Sequence, residues 1–321
     1  MPEKNTQVLL ASRPTGWVKE HDFRVVETPV PTPKDGQVLV RNRFLSLDPY
    51  MRGRMNDTRS YAAKAEIGDV MTGEAIGEVV ESKNAKFKPG DTVVGHVGWQ
   101  QYALSDGNNL RRVDPSLKPL SAYLGAVGMP GVTAWIGLLD IGQPKPGDTV
   151  VVSAASGAVG SVVGVAGGKE KCGYVVKELG FDACIDHRGD DLKRALAEAT
   201  PNGIDVHFEN VGGPILDLVL ARCNPFARIP LCGMVSQYNA TDPYGVKNMT
   251  VAVGMRIKLQ GFIVSDHMNR WPEALQRLGQ YVREGKIKYR ETVTEGIENA
   301  PRAFIGLLKG ENFGKQVVKV G

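Results

Sequence analysis

Hydrophobic positions along this chain follow two rhythms, and the change falls near residue 120. Before it, short runs at residues 8–11, 23–27, 37–44, 77–81 and 91–96 have the length and β-branched content of strands. Turn formers separate them: Pro29, Pro31, Pro33, the Asp35-Gly36 pair and the Lys88-Pro89-Gly90-Asp91 stretch. Strands punctuated this way predict a barrel-like antiparallel fold. After the change, residues 121–139 are expected to be helical, and 149–153 form the uninterrupted apolar run of a strand buried on both faces. Strands expected at 182–185, 204–208, 227–232 and 258–263 then alternate with helices expected at 169–179, 190–199, 214–221 and 272–284. That alternation predicts an α/β domain with a doubly wound parallel sheet. The last segment, 313–320, is strand-like again and is expected to return to the first domain. The expected division is therefore 1–120 with 290–321, and 121–289.

Composition narrows the function classes. The 321 residues carry a net charge of +4, and no block of Lys and Arg stands out. A nucleic-acid surface concentrates its cations, so nucleic acid is not expected as a partner. The small surplus suits either a phosphorylated ligand or an ordinary solvated surface. No apolar run approaches the roughly 20 residues needed to span a bilayer, so no membrane association is expected. The four cysteines, Cys172, Cys184, Cys223 and Cys232, form no CxxC pair. They read as reduced thiols of a cytoplasmic protein.

Chemistry enters directly after the apolar run at 149–153. Ala154, Gly157 and Gly160 give the spacing A-x-x-G-x-x-G. A strand, a glycine turn and a helix start in that order form a dinucleotide-binding fingerprint. Gly157 lets the backbone approach a pyrophosphate, Gly160 lets the next helix pack close, and the helix N-terminus offers unpaired N–H groups. An NAD site places an acid at the end of the second strand to hold the ribose 2′-hydroxyl. Here the apolar residues 164–166 are followed by Gly167, Gly168, Lys169 and Lys171 instead. Lys171 suits a 2′-phosphate, which favours NADPH; the competing reading leaves Lys169 and Lys171 as solvated helix residues. His187 is a further candidate near the adenosine end.

These residues resemble the zinc-independent medium-chain dehydrogenase/reductase superfamily, and within it the curcumin, prostaglandin and alkenal double-bond reductases. The resemblance rests on Phe44-Leu45-Ser46-Leu47-Asp48-Pro49-Tyr50-Met51-Arg52, Gly128-Met129-Pro130-Gly131-Val132-Thr133-Ala134, 154–160, Glu209-Asn210-Val211-Gly212-Gly213, Ser236-Gln237-Tyr238-Asn239 and Asn312-Phe313-Gly314-Lys315. It implies a Rossmann-type doubly wound parallel sheet domain plus a β-rich GroES-like barrel domain, NADPH as cofactor and a homodimer. It also implies individual roles. Gly157 and Val159 lie under the pyrophosphate and Lys171 holds the 2′-phosphate. Asn210, Cys232 and Tyr238 line the cofactor. Phe262, Val264 and Asn312 follow its nicotinamide half, with Met129 and Thr133 behind it, and Tyr50 faces the substrate carbonyl.

The chain departs from that pattern in two places. Between Gly160 and Gly167 the family carries a helix and a second strand, whereas only six residues remain here. A parallel crossover normally takes a dozen or more residues. The shortfall predicts a gap in the chain near Val163 and Gly164; an intact peptide there puts the cofactor site in question. A Pro-rich loop expected beside residues 241–243 is also absent. The zinc-binding relatives use an early Cys, a Gly-His-Glu motif and a later Cys or acid. Here Gly73 stands in place of the His, and no metal site is expected. The five histidines, His21, His96, His187, His207 and His267, are scattered.

Without a metal to polarise an alcohol, the expected reaction is reduction of the C=C bond of an α,β-unsaturated carbonyl substrate. Donors aimed at the carbonyl oxygen stabilise the enolate that forms. Tyr50 is the first candidate, with Tyr61 and Tyr238 as the other aromatic hydroxyls. A quinone acceptor on the same fold, and an NADPH-binding protein without catalysis, stay open at this point.

Overall fold

A computed structural model describes residues 4–155, 163–189 and 191–321 of the chain. The chain forms two compact units, Met1–Gly125 with Glu291–Gly321, and Ala126–Arg290. In the first unit β1 (Lys4–Leu10) pairs antiparallel with β2 (Phe23–Pro29). β3 (Val38–Ser46) is followed by the single-turn α1 (Met51–Arg54), β4 (Glu74–Ser82), β5 (Thr92–His96), β6 (Tyr102–Ser105) and β7 (Leu110–Arg112). The core of this unit gathers Leu10, Leu45, Met51, Met71, Trp99 and Phe304. Trp99 stacks on Phe23 with ring centroids 5.5 Å apart and meets the edge of Phe304 at 5.6 Å.

The stretch expected as one helix at 121–139 is broken. A 3-10 turn spans Leu120–Leu124, α2 spans Met129–Trp135, and a π-helical turn spans Ile136–Gly142. Gly125 and Gly128, at φ −134 in both cases, leave the helical region between the first two pieces.

The second unit continues with β8 (Val150–Ser153), β9 (Val163–Ala166), α3 (Lys169–Lys177), β10 (Ala183–Asp186), α4 (Leu192–Ala199), β11 (Ile204–Phe208), α5 (Gly213–Leu220), β12 (Cys223–Leu231), α6 (Met249–Met255), β13 (Lys258–Gly261) and α7 (Trp271–Arg283). All its strand pairs are parallel, in the order β10-β9-β8-β11-β12-β13. Counted along the chain that order is 3-2-1-4-5-6, the doubly wound arrangement. β8 and β9 are buried along their whole length.

The expected gap at Val163 and Gly164 is overturned: the two are consecutive residues of β9, in register with Val151 and Val152 of β8. The spacing argument asked the six residues 161–166 to supply both a helix and a strand, whereas the last four form the second strand. What is short is the connection from Ser153 to Val163, nine residues against the usual dozen. Beyond Asp242, the chain is anchored by Tyr244 Oη, which donates to Asp217 Oδ2 at 2.6 Å, and by the backbone N–H of Asn248 to Asp217 Oδ1 at 2.9 Å.

The chain returns to the first unit with β14 (Glu291–Glu295), α8 (Ala300–Leu308) and β15 (Lys315–Lys319). β15 pairs antiparallel with β3, as the strand-like pattern at 313–320 implies, while β14 pairs parallel with β15. The sheet is thus mixed, not wholly antiparallel, in the order β14-β15-β3-β4-β5-β7 with β6 also on β3. No helix among the described residues is long and apolar enough to cross a membrane.

Candidate active site

The doubly wound order reverses between β8 and β11, and ligands of such sheets settle at the strand C-termini beside that reversal. A buried polar network occupies this position. Ser153, at the end of β8, donates from Oγ to Glu209 Oε1 at 2.7 Å. The same oxygen accepts the backbone N–H groups of Val211 at 2.5 Å and Gly212 at 3.0 Å. Glu209 Oε2 meets His207 Nε2 at 3.0 Å, and His207 Nδ1 lies 3.2 Å from the Val151 carbonyl. Ser153, His207 and Glu209 are fully buried. Burial alone pushes the Glu209 carboxyl up, but the His207 charge and hydrogen bond and the two N–H groups outweigh it and hold the group at about 2. An ionised carboxylate therefore organises the turn that carries Asn210.

Asn210 is fixed twice to Ser153, through its N–H to Oγ at 2.8 Å and its Nδ2 to the carbonyl at 2.8 Å. Cys232 follows β12, and its N–H donates to the Glu209 carbonyl at 2.9 Å. Burial first, then Glu209, raises its thiol to about 12. Tyr238 Oη accepts the Met234 N–H at 3.3 Å and leans on Gly233, where a Cβ would lie 3.0 Å from it. Asn210, Cys232 and Tyr238 are thus gathered around one crevice.

A second group forms where β9 and β10 end. A Cβ on Gly167 would lie 2.8 Å from His187 Nε2 and 3.1 Å from Arg188 Nε, so only glycine leaves this cradle open. Gly168, at φ +99, turns the chain into α3 and donates its N–H to Asp186 Oδ1 at 2.7 Å. Lys171 stands one turn later; burial and then Arg188 lower its pKa. Burial and Arg188 likewise lower that of His187. Two cations, Lys171 and Arg188, with the His187 imidazole beside the glycine cradle, fit a 2′-phosphate in charge and space. The Asp186 carboxylate is turned onto the N–H groups of Gly168 and Arg188, and Glu170 also lies close enough to act on Lys171.

Met129 and Thr133 share a helix face of α2, where Thr133 Oγ1 donates to the Met129 carbonyl at 2.8 Å. Phe262 meets Phe208 edge-on at 6.4 Å, and Val264 accepts Trp271 Nε1 through its carbonyl at 3.1 Å. These four belong to the second unit. Asn312 belongs to the first, with Nδ2 donating to the Gly314 carbonyl at 2.6 Å. Gly157, Val159 and Gly160 lie outside the described residues.

Tyr50 and Tyr61 also belong to the first unit. The Tyr50 hydroxyl is buried without a hydrogen-bond partner among the described residues. Burial, then the charges of Asp48 and Glu74, keep it protonated well beyond the ordinary phenol range. Arg54 lies over both rings, 5.5 Å from the Tyr50 centroid and 4.3 Å from that of Tyr61. Tyr61 is 58% exposed, so its hydroxyl has water for a partner and no comparable need for a ligand. Beneath Tyr50, the buried Asp48 accepts Lys315 Nζ at 2.6 Å, and the same ammonium reaches the Leu47 carbonyl at 2.8 Å. Burial, then Asp48, raises the nearby Glu74 carboxyl to about 7.

No group of three or more His, Cys, Asp or Glu side chains among the described residues is placed to hold a metal ion. At Gly73 a Cβ would lie 2.8 Å from Trp99 Cδ1 and 2.9 Å from Leu45 Cδ1. A histidine has no room there. Sequence reasoning missed the Ser153–His207–Glu209 network, Arg188, Arg54 and the Asp48–Lys315 pair. The available signal was an acid placed directly before Asn210-Val211-Gly212-Gly213, at the end of an apolar strand.

Residues 6–113 match a family described as the N-terminal domain of oxidoreductase, and 149–280 one described as zinc-binding dehydrogenase. The chain is 50% identical to the NADPH-dependent curcumin reductase of Escherichia coli (strain K12) over 336 positions, covering 99% of this chain and 97% of the relative. Since 336 aligned positions exceed 321 residues, this chain lacks positions its relative has, in keeping with the short crossover. It is 41% identical to the NADP(+)-dependent 2-alkenal reductase of Nicotiana tabacum, covering 98% and 97% of the two chains. CurA from Vibrio vulnificus, solved in complex with NADPH, superposes with a TM-score of 0.94 at 47% identity, over 98% of this chain and 99% of that one.

Proposed function

This chain belongs to the medium-chain dehydrogenase/reductase family, and from that membership we propose how it works as an NADPH-dependent reductase of the C=C bond in α,β-unsaturated carbonyl compounds. Enals, enones and curcumin-like dienones are its substrate class. The glycine cradle with Lys171, His187 and Arg188 holds the 2′-phosphate, and Asn210, Cys232 and Tyr238 line the cofactor. The bound dihydronicotinamide supplies hydride to the substrate β-carbon.

The single observation that carries the catalytic assignment is the buried Tyr50 hydroxyl with no partner among the described residues. A buried hydroxyl left unpaired costs about 1–3 kcal/mol, so the position is poised for an outside oxygen. Tyr50 remains protonated because burial, Asp48 and Glu74 all disfavour the phenolate. It therefore donates to the carbonyl oxygen as enolate charge develops there, and the α-carbon takes its proton from water or a tyrosine. The reaction needs no metal: Trp99 and Leu45 fill the space that a ligand side chain at position 73 requires. The resemblance also carries a homodimer, and four unbridged thiols suit a reducing cytoplasm.

The test is NADPH oxidation with a panel of enals, enones and dienones, alongside Tyr50→Phe. The variant is expected to lose about 100-fold in kcat, the size of one oxyanion donor, while its NADPH affinity stays that of the parent. Parental turnover in Tyr50→Phe would sink the donor role, and an inert enone panel would sink the reductase reading.

A further inference from the structure

Two of the four cysteines come together away from the catalytic groups. Cys172 lies in the first turn of α3 and Cys184 on β10, and their sulfurs are 2.9 Å apart. That is closer than nonbonded heavy atoms settle, about 3.5–4.0 Å, and short of a disulfide bond at about 2.05 Å. The approach has a cause in the sequence. Cys184 pairs across the sheet with Gly164 of β9, whose missing side chain leaves the space the sulfur enters. A Cβ on Gly164 would lie 3.2 Å from Cys184 Sγ. Both cysteines are only partly buried, so a small oxidant has access. Cys223 and Cys232 have no thiol neighbour of this kind recorded among the described residues.

We propose that Cys172 and Cys184 form an oxidisable dithiol that closes to a disulfide within one chain, beside the cradle that holds the 2′-phosphate. The location at the adenosine end rests on the reading of Lys171 given above; the bond itself does not. The oxidant is a peroxide. One thiolate attacks a peroxide oxygen, the O–O bond breaks, and a sulfenic acid and hydroxide form. The second sulfur then displaces hydroxide from the first and gives up its proton. In balance, two thiols and one hydrogen peroxide give one disulfide and two waters: two electrons leave sulfur and reduce the peroxide. Burial, foremost, raises both thiols, and the hydrogen bond between them lowers Cys172 while raising Cys184. The attacking thiolate is therefore scarce at neutral pH, and closure speeds up as pH rises above it.

The purified, reduced protein is treated with hydrogen peroxide at pH 7 and at pH 8.5, then denatured and alkylated with iodoacetamide. The expected result is alkylation of Cys223 and Cys232 only, with a peptide linking Cys172 to Cys184 two hydrogens lighter than its reduced parts, formed severalfold faster at pH 8.5. Cys172→Ser and Cys184→Ser each abolish the linked peptide, while Cys223→Ser retains it. Four alkylated cysteines after peroxide, a link involving another cysteine or a second chain, or over-oxidation of one sulfur in place of a link, would overturn the proposal. Loss of enone reduction in any sample bears on the reductase reading alone, because mass and alkylation report the bond without it.

Discussion

Replacing Glu209 by Gln tests whether one buried charge holds the turn at Asn210, Val211 and Gly212 together. The carboxylate sits at about 2 where its ordinary value is 4.5. A depression of that size corresponds to about 3 kcal/mol of preference for the ionised form in the folded state. The sign follows from the direction. A folded-state value below the ordinary one contributes stability that is fully present above about pH 5 and is lost as pH falls from 4.5 through about 2. Gln keeps the shape and one acceptor oxygen, so Val211 and Gly212 can still donate, but the charge is gone. The readout is hydrogen exchange of the Val211 and Gly212 amides, which both donate to Oε1 in the parent. At pH 7 the expected loss of protection is on the order of 100-fold, since about 1.4 kcal/mol is a factor of ten. At pH 3 the gap between parent and variant is expected to narrow, because the parent is then losing the same stabilisation. Equal protection at pH 7, or a gap that stays constant down to pH 3, would refute the idea that charge rather than shape fixes this turn.

Two other substitutions probe the two ends of the assignment. Lys171→Ala is expected to raise the KM for NADPH about 10-fold, the worth of one charge-assisted contact, while leaving KM for NADH unchanged; an equal effect on both cofactors would remove the 2′-phosphate role. Lys315→Met strands the buried Asp48 carboxylate without its partner, and breaking a buried pair costs about 3–5 kcal/mol. By calorimetry the first unit is expected to melt about 10 °C lower, and a shift under about 2 °C would mean the pair contributes little.

How much of this was legible beforehand depends on the range of the interactions involved. The parallel sheet was, because buried strands such as Val150–Ser153 and Ile204–Phe208 are apolar without a break and helices separate them. The end of the second strand was read at the apolar residues 164–166, but its start at Val163 and its pairing with β8 and β10 come only from the fold. β6, β7, β14, α6 and α8 were also missed; β7 is three residues long, and β14 alternates exposed and half-buried positions with little apolar signal. Among the candidate site residues, Lys171 was read from the residues after the second strand, and Tyr50 from the family resemblance. The Ser153–Glu209 bond joins residues 56 apart in the chain, and only the doubly wound topology brings β8 and β11 side by side. Arg188 escaped notice for the same reason, since its neighbour Lys171 lies on another element.

The packing around Gly73 also constrains descent. A lineage that replaced this glycine by a histidine would first have to shrink Trp99 or Leu45, whose side chains fill the space. Trp99 is the centre of the Phe23–Trp99–Phe304 aromatic cluster, so trimming it costs about 3–5 kcal/mol before any ligand is gained. Neither change helps without the other, and the intermediate is a damaged protein under either order. Selection acting one substitution at a time therefore meets a ratchet at this position: core packing, rather than the choice of side chain alone, resists a histidine at 73.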